Sequence, residues 1–394
     1  MTAYACVTTA KGSAAISSIQ LAGESAGGIV REIFKPAGGG NVRLKAGAIL
    51  TGDIYDGQRI IDHVVIACES CDSFSINCHG NPIIVEMIMT LLKDKGAGLI
   101  SVEDMLARQF SRQEPNTIAA EAKIAQLEAV TLEGVKIIAN QITSGLAETV
   151  AGWLADFDDI SLGDIVETSR RIVADSLTAD LIINGAKAVI SGPPNSGKST
   201  LLNCLCGKEK AIVTDIAGTT RDWISGVCRL ESLLIDFVDT AGIENTLAQA
   251  NSVDKQSQQR AKKLLAESDL VLLVLDCSAG ADDGRAAVEI ARSLAPGKKM
   301  LAVLNKSDLP AVLTAEQPGF DLGDSVTISA KNDTGIKELA EKIRSVLGVA
   351  DFDLTSCVWF TSRQKKLLGR LTGAKTKADA KSTITELLNG GISV

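Results

Sequence analysis

Residues 191–200 read SGPPNSGKST, and from Gly192 to Ser199 they keep the spacing G-x-x-x-x-G-K-[ST]. A strand-like run, AKAVIS, precedes them and a helical one, TLLNCLCG, follows, which is the setting a phosphate-binding loop requires. The glycines let successive backbone N–H groups turn inward onto phosphate oxygens at a helix N-terminus. Lys198 then reaches the β- and γ-phosphates and the Ser199 hydroxyl ligates Mg²⁺, with Asn195, Ser196, Gly197 and Thr200 as further nucleotide-binding positions. The plainer reading is a Gly/Pro-rich turn capping a helix. The flanking strand and helix decide for the cradle.

Three further segments select the base. Asp239-Thr240-Ala241-Gly242 ends the run LLIDFVD, where a carboxylate can hold Mg²⁺ through water and Gly242 can meet the γ-phosphate. Asn305-Lys306-Ser307-Asp308 ends KMLAVLN, and Asp308 can accept two hydrogen bonds from guanine N1 and N2, which adenine cannot supply. Ser329-Ala330-Lys331 closes the next strand, with the Ala330 N–H available to guanine O6. Asn and Asp at loop starts are common turn formers. Four such segments in order, each at the C-terminal end of a strand, predict a guanine-nucleotide site that hydrolyses GTP.

These residues need an α/β scaffold, and the chain supplies the pattern for one. From about 184 to 349, apolar strands (AKAVIS, LLIDFVD, DLVLLVLD, KMLAVLN, DSVTIS) alternate with amphipathic helices, which predicts a mostly parallel sheet covered on both faces. Residues 1–112 mix short β-like runs such as IVREIF and RIIDHVVIAC with Gly-rich connections, and one helical pattern, IIVEMIMTLLKDKG, stops at Gly96. Residues 113–183 are rich in Ala, Leu and Glu at helical spacing, and 350–394 return to that pattern. The expected fold is an N-terminal α+β domain followed by a helical bundle domain into which a P-loop GTPase α/β domain is inserted. A bundle with an unrelated tail is the alternative.

Composition bounds the rest. The chain has 394 residues, 45% of them hydrophobic but only 3% aromatic, so its cores are built mainly from Ala, Val, Leu and Ile. A formal net charge of −8 does not suit a whole-surface nucleic-acid binder. Nine cysteines at irregular spacing, no leader-like start and no long apolar run predict a soluble cytoplasmic protein with reduced thiols and no membrane span. Cys68, Cys71, Cys78 and His79 lie close enough in sequence to suggest Zn²⁺, although buried core cysteines explain them as well. The segment 363–381 carries seven basic residues against one Asp and reads either as a tRNA-phosphate grip or as a solvated helix face.

Read together, GPPNSGKSTLLN, VTDIAGTTRD, DTAG, NKSD and SAK resemble the G domain of the MnmE (TrmE) tRNA-modification GTPases. That family places its G domain within a helical domain, behind an N-terminal dimerisation domain. NCHGNP at 77–82 resembles its C-H-G-G-P segment, and SRQKKLL the point where its helical domain resumes. The resemblance implies a K⁺ ion beside the β- and γ-phosphates, held at positions Asn195, Thr214, Ile216 and Thr219, with Thr220 as a further Mg²⁺ ligand. It also implies G-domain dimerisation, a homodimer, and tRNA and an MnmG-like flavoprotein as partners. Ile243 follows DTAG where Ras-like proteins carry a water-orienting Gln. The resemblance assigns that task to an acid downstream, matched here by Asp254, with Glu244 as the alternative and a solvated helix-start carboxylate as the plain reading of either.

The chain departs from the family where the family binds folate. Gln20 replaces an expected arginine, Glu114 an expected lysine, SCDSFS a stretch that should carry an acid, and the C-terminal C-I-G-K is absent from LLNGGISV. These departures argue against folate and against direct modification chemistry by this chain. They leave two readings: a GTPase related to wobble-uridine modification, or a regulatory or ribosome-associated GTP switch or scaffold.

Overall fold

The computed structural model describes residues 3–10, 12–40, 42–208, 224–239, 264–294, 296–314 and 322–392. The chain forms two compact units, Met1–Ile124 with Gly391–Val394, and Ala125–Gly390.

The first unit carries β1 (Tyr4–Val7), β2 (Ile16–Ala22), α1 (Ala26–Ile33), β3 (Phe34–Pro36), β4 (Ile49–Asp56), β5 (Arg59–Cys68), β6 (Ser73–His79), α2 (Pro82–Asp94), β7 (Gly98–Leu99), α3 (Val102–Gln113) and the start of α4 (Thr117–Glu128). Its strands form one sheet in the order β3-β4-β5-β6-β2-β1-β7, antiparallel except for β1 beside β7. Alternate residues of β6 (Phe74, Ile76, Cys78) and β5 (Val64, Ile66, Cys68) are buried in its core, the period-two pattern of a sheet with one covered face. The run IVREIF, expected as strand, is helical up to Ile33. Ala26, Ile29, Val30 and Ile33 fall at three- and four-residue spacing and all four are buried, so burial of one helical face overrides the β-branched composition.

The second unit begins with helices α5 (Leu132–Thr143), α6 (Leu146–Ala155) and α7 (Leu162–Asn184). Gly185, at φ 83°, ends α7 and turns the chain directly into β8 (Ala186–Ser191), a left-handed stop that glycine makes without strain. There follow α8 (Lys198–Lys208), β9 (Ile224–Leu230), β10 (Leu233–Asp239), β11 (Leu270–Asp276), α9 (Ala281–Leu294), β12 (Lys299–Asn305), β13 (Ser325–Thr327), α10 (Ile336–Leu347), α11 (Ser362–Leu371) and α12 (Lys377–Asn389). The sheet runs β13-β12-β11-β8-β10-β9 and is parallel except for the β10–β9 hairpin. Six consecutive residues of β11 are buried, as expected of a strand covered on both faces. The edge strand β9 is absent from the strands expected above.

Helix α11 packs on α7 and α12 on α6. One fully buried amide ties this arrangement together. Gln141 Nε2 donates to Ile137 O (2.9 Å) and Ser356 O (3.0 Å), and its Oε1 accepts from Leu146 N (3.0 Å) and Val358 N (3.1 Å). Gln141→Ala leaves two buried backbone N–H groups without this acceptor, and we expect a loss of about 3 kcal/mol or more in urea unfolding. A loss under about 1 kcal/mol would show that the network contributes little.

The basic segment is also largely engaged within the unit. Arg363 donates to Glu386 O (2.9 Å) and Leu387 O (3.0 Å), and Arg370 pairs with Glu386 at 2.9 Å. Lys365 lies over the Trp359 ring, while Lys377 and Lys381 lie over Phe157. Among the described residues no helix is long and apolar enough to cross a membrane.

Candidate guanine-nucleotide site

Strands β8, β10, β11 and β12 all end at the same sheet edge, since Asp239 pairs with Ile190 and Asp276 with Asn305. The chemistry-bearing residues collect there because a doubly wound sheet exposes its loops at the carboxyl ends of its strands.

The loop from Gly192 to Gly197 is shaped by backbone conformations that few residues adopt. Gly192 sits at φ 141°, and a Cβ built on it would lie 2.0 Å from Val274 O. Gly197 is at φ 95° with the Asn305 amide nitrogen 2.3 Å from where a Cβ would be. Asn195 holds φ 62°, a left-handed conformation that Asn tolerates better than most. Buried Lys198 folds back across the loop, its ammonium donating to Gly192 O and to Pro193 O, the latter at 2.9 Å. The Ser196 hydroxyl is buried in the same loop and makes no hydrogen bond among the described residues.

Ser199 Oγ donates to Asp239 Oδ2 at 2.8 Å. A hydroxyl and a carboxylate brought together at the start of a helix form a hard-oxygen donor set, and these two residues fit Mg²⁺.

Asn305 links the base-reading loops to the cradle. Its Nδ2 donates to Ser196 O (2.8 Å) and its Oδ1 accepts from Ala330 N (3.0 Å). The Ala330 N–H, expected at guanine O6, is therefore held by Asn305 in this structure. Ser329 Oγ donates to Asp308 Oδ1 at 2.6 Å, and this hydroxyl is the first reason the Asp308 carboxyl is held below its ordinary value. Lys306, at φ 67°, pairs through its ammonium with Asp276 Oδ2 at 2.6 Å. Burial pushes the Asp276 carboxyl up, but hydrogen bonds from Lys306 and Ser278 outweigh it and leave the group low. Lys331 lies in the loop after Ser329, beside Asp308 electrostatically.

Asp276 was not among the residues expected from sequence. The signal for it was present, because it is the polar residue ending the apolar run LVLLVLD, as Asp239 and Asn305 end theirs. The expected positions Thr214, Ile216, Thr219, Thr220, Thr240, Ala241, Gly242, Ile243, Glu244 and Asp254 lie outside the described residues. Asn195 is therefore the one position of the expected K⁺ set that the structure describes.

The remaining candidates lie in the first unit. Cys68 and Cys78 are buried while Cys71 is exposed, and desolvation pushes the Cys68 and Cys78 thiols up, which disfavours thiolate ligation. The His79 ring is held by Asp62 at 2.7 Å. No group of three or more His, Cys, Asp or Glu among the described residues is arranged to hold a metal ion. Gln20, at the position where an arginine was expected for folate, donates to Glu69 Oε2 (2.8 Å) and Ser73 Oγ (2.9 Å). A neutral amide so engaged does not replace a cation, so these residues do not fit folate.

Residues 187–306 match the family model described as 50S ribosome-binding GTPase. Over 410 residues the chain is 30% identical to the tRNA modification GTPase MnmE of Clostridioides difficile strain 630, covering 95% of this chain and 88% of that protein. The protein of the same description from Thermoanaerobacter sp. strain X514 is 30% identical over 403 residues, with 92% and 86% covered. The crystal structure of an Aquifex aeolicus Era variant bound to GDP·AlF4− is 31% identical, spans 42% of this chain and 56% of that one, and gives a TM-score of 0.30.

Proposed function

The chain belongs to the MnmE family of tRNA-modification GTPases, and from that premise we propose a K⁺-stimulated GTPase whose G domains pair to complete the site. It binds GTP and hydrolyses it to GDP and phosphate. The observation that carries the reading is the convergence of Lys198, the Ser199–Asp239 pair and the Ser329-held Asp308 at one sheet edge.

The cradle orients the triphosphate through its inward N–H groups, and Lys198 offsets charge that develops on the β- and γ-phosphates. Ser199 and Asp239, with Thr220, would hold Mg²⁺, which would supply further charge compensation there. Asp308 selects guanine, while Asn305 keeps the loop carrying Ala330 against the cradle. Asn195, with Thr214, Ile216 and Thr219, would hold the monovalent cation, which would offset negative charge developing on the β- and γ-phosphates. Asp254 or Glu244 orients the attacking water, because the Ile243 side chain has no polar atom.

In this proposal residues 184–349 are the G domain, inserted into a helical domain made of 113–183 and 350–394, behind an N-terminal dimerisation domain of 1–112. GTP-driven pairing moves the helical domain, and tRNA together with an MnmG-like flavoprotein receives that motion in the cytoplasm. The engagement of Gln20 by Glu69 and Ser73 favours a second reading, in which the switch acts on a regulatory or ribosomal effector without modification chemistry.

Nucleoside analysis of tRNA from cells with and without this chain separates the two. Loss of a C5 substituent at the wobble uridine, restored by the wild-type chain, is expected. Unchanged wobble uridine would transfer the proposal to the second reading.

A further inference from the structure

We propose that Cys206 and Cys228 form an oxidisable thiol pair, a modification site at which a peroxide closes a disulfide between α8 and β9. Cys206 lies half-buried in the last turns of α8, and Cys228 is fully buried on β9. Cys228 is the neighbouring side chain that most strongly perturbs the Cys206 thiol. Gly226, two residues from Cys228 and so on the same face of the strand, explains how the helix comes so near. A Cβ on Gly226 would stand 2.4 Å from Cys206 Sγ and 3.3 Å from Cys206 Cβ, so glycine at that position is what seats the Cys206 side chain on the strand beside Cys228. Both are thiols in this structure.

The pair also differs electrostatically from the other core cysteines. Burial raises the thiols of Cys6, Cys68, Cys78, Cys277 and Cys357. At Cys206 the neighbouring Cys228 outweighs burial and the charge of Asp236, and the thiol is held below its ordinary value. Being the more exposed of the two, Cys206 is the attacking group.

The chemistry balances with hydrogen peroxide as oxidant. The Cys206 thiolate attacks one peroxide oxygen, the O–O bond breaks, and hydroxide leaves Cys206 as a sulfenic acid. The Cys228 sulfur then attacks the Cys206 sulfur, the S–S bond forms, and the S–O bond breaks with water leaving. Two thiols and one peroxide give one disulfide and two waters, and a dithiol reductant reverses the change.

The consequence follows from what each element carries. Helix α8 begins at Lys198 and Ser199, and β9 pairs with β10, with Cys228 opposite Ile235 and Ile224 opposite Asp239. A covalent staple fixes the helix that bears the cradle against the hairpin that bears Asp239, and GTP turnover falls. This consequence rests on the proposed nucleotide site, whereas formation of the bond does not.

The test uses the full chain, treated with hydrogen peroxide, alkylated and digested with trypsin without reduction. A cross-linked pair of peptides 199–208 and 222–229 is expected, retained in Cys204→Ser and lost in Cys206→Ser. Turnover of the oxidised wild-type protein should fall several-fold and recover with dithiothreitol, while Cys206→Ser is indifferent to peroxide. Alkyl label on both cysteines after peroxide overturns the pair. A cross-linked peptide with unchanged turnover overturns its control of the site. Absence of turnover in the reduced protein counts against the nucleotide-site reading alone, because the cross-link is scored independently.

Discussion

Asp308→Asn is expected to weaken GTP binding by about 10²- to 10³-fold and to favour xanthosine triphosphate instead. The Ser329 hydroxyl at 2.6 Å holds the Asp308 carboxyl below its ordinary value, so both oxygens stay acceptors, as the proposed pairing with guanine N1–H and N2–H requires. Hydrogen bonds to a charged acceptor are worth about 1.5–3 kcal/mol each, and losing one of them together with the charge assistance of the other, about 3–4 kcal/mol in all, accounts for the fall. An Asn side chain presents one acceptor and one donor. Xanthine, with N1–H beside a C2 carbonyl, matches that pair where guanine does not. Competition of GTP and xanthosine triphosphate against a fluorescent nucleotide measures both arms. Equal affinity of wild type and Asp308→Asn for GTP would remove Asp308 from the base-reading position.

Lys198→Ala is expected to lower single-turnover GTP hydrolysis by about 10³-fold, with a smaller loss of GTP affinity. The buried ammonium is held across the loop by Gly192 O and Pro193 O. Removing it takes away a fixed charge without reorganising the sheet. Loss of a preorganised electrostatic contact of this kind typically costs about 10²- to 10³-fold or more in rate. Far-ultraviolet circular dichroism should be unchanged, because the flanking strand β8 keeps its pairing with β10 and β11. A rate within about threefold of wild type would show that Lys198 does not contact the transferring group.

The positions in this account that sequence makes plain are those where one physical pressure acts alone. Strands β11 and β12 are buried on both faces along most of their length, so their apolar runs are continuous and end abruptly at Asp276 and Asn305. The cradle is legible for a similar reason, since Gly192 and Gly197 stand where a side chain would strike Val274 O or Asn305. The run IVREIF in helix α1 reads as strand because its β-branched residues are more conspicuous in sequence than their helical spacing. Strand β9 leaves a weak signal because its ISGVCRL pattern is short and broken by Gly226, which packs closely against α8. The Asp276–Lys306 ion pair and the Asn305–Ala330 contact depend on which strands are neighbours. Pairing across sequence separations of that size leaves no local mark.

GTP turnover of the full chain in KCl against NaCl at equal ionic strength, with Asn195→Ala beside the wild type, reads the proposed K⁺ stimulation directly. K⁺ is expected to raise wild-type turnover by about tenfold or more, and Asn195→Ala to lose the acceleration while still binding GTP. Equal, slow turnover of the wild type in both salts would contradict that stimulation.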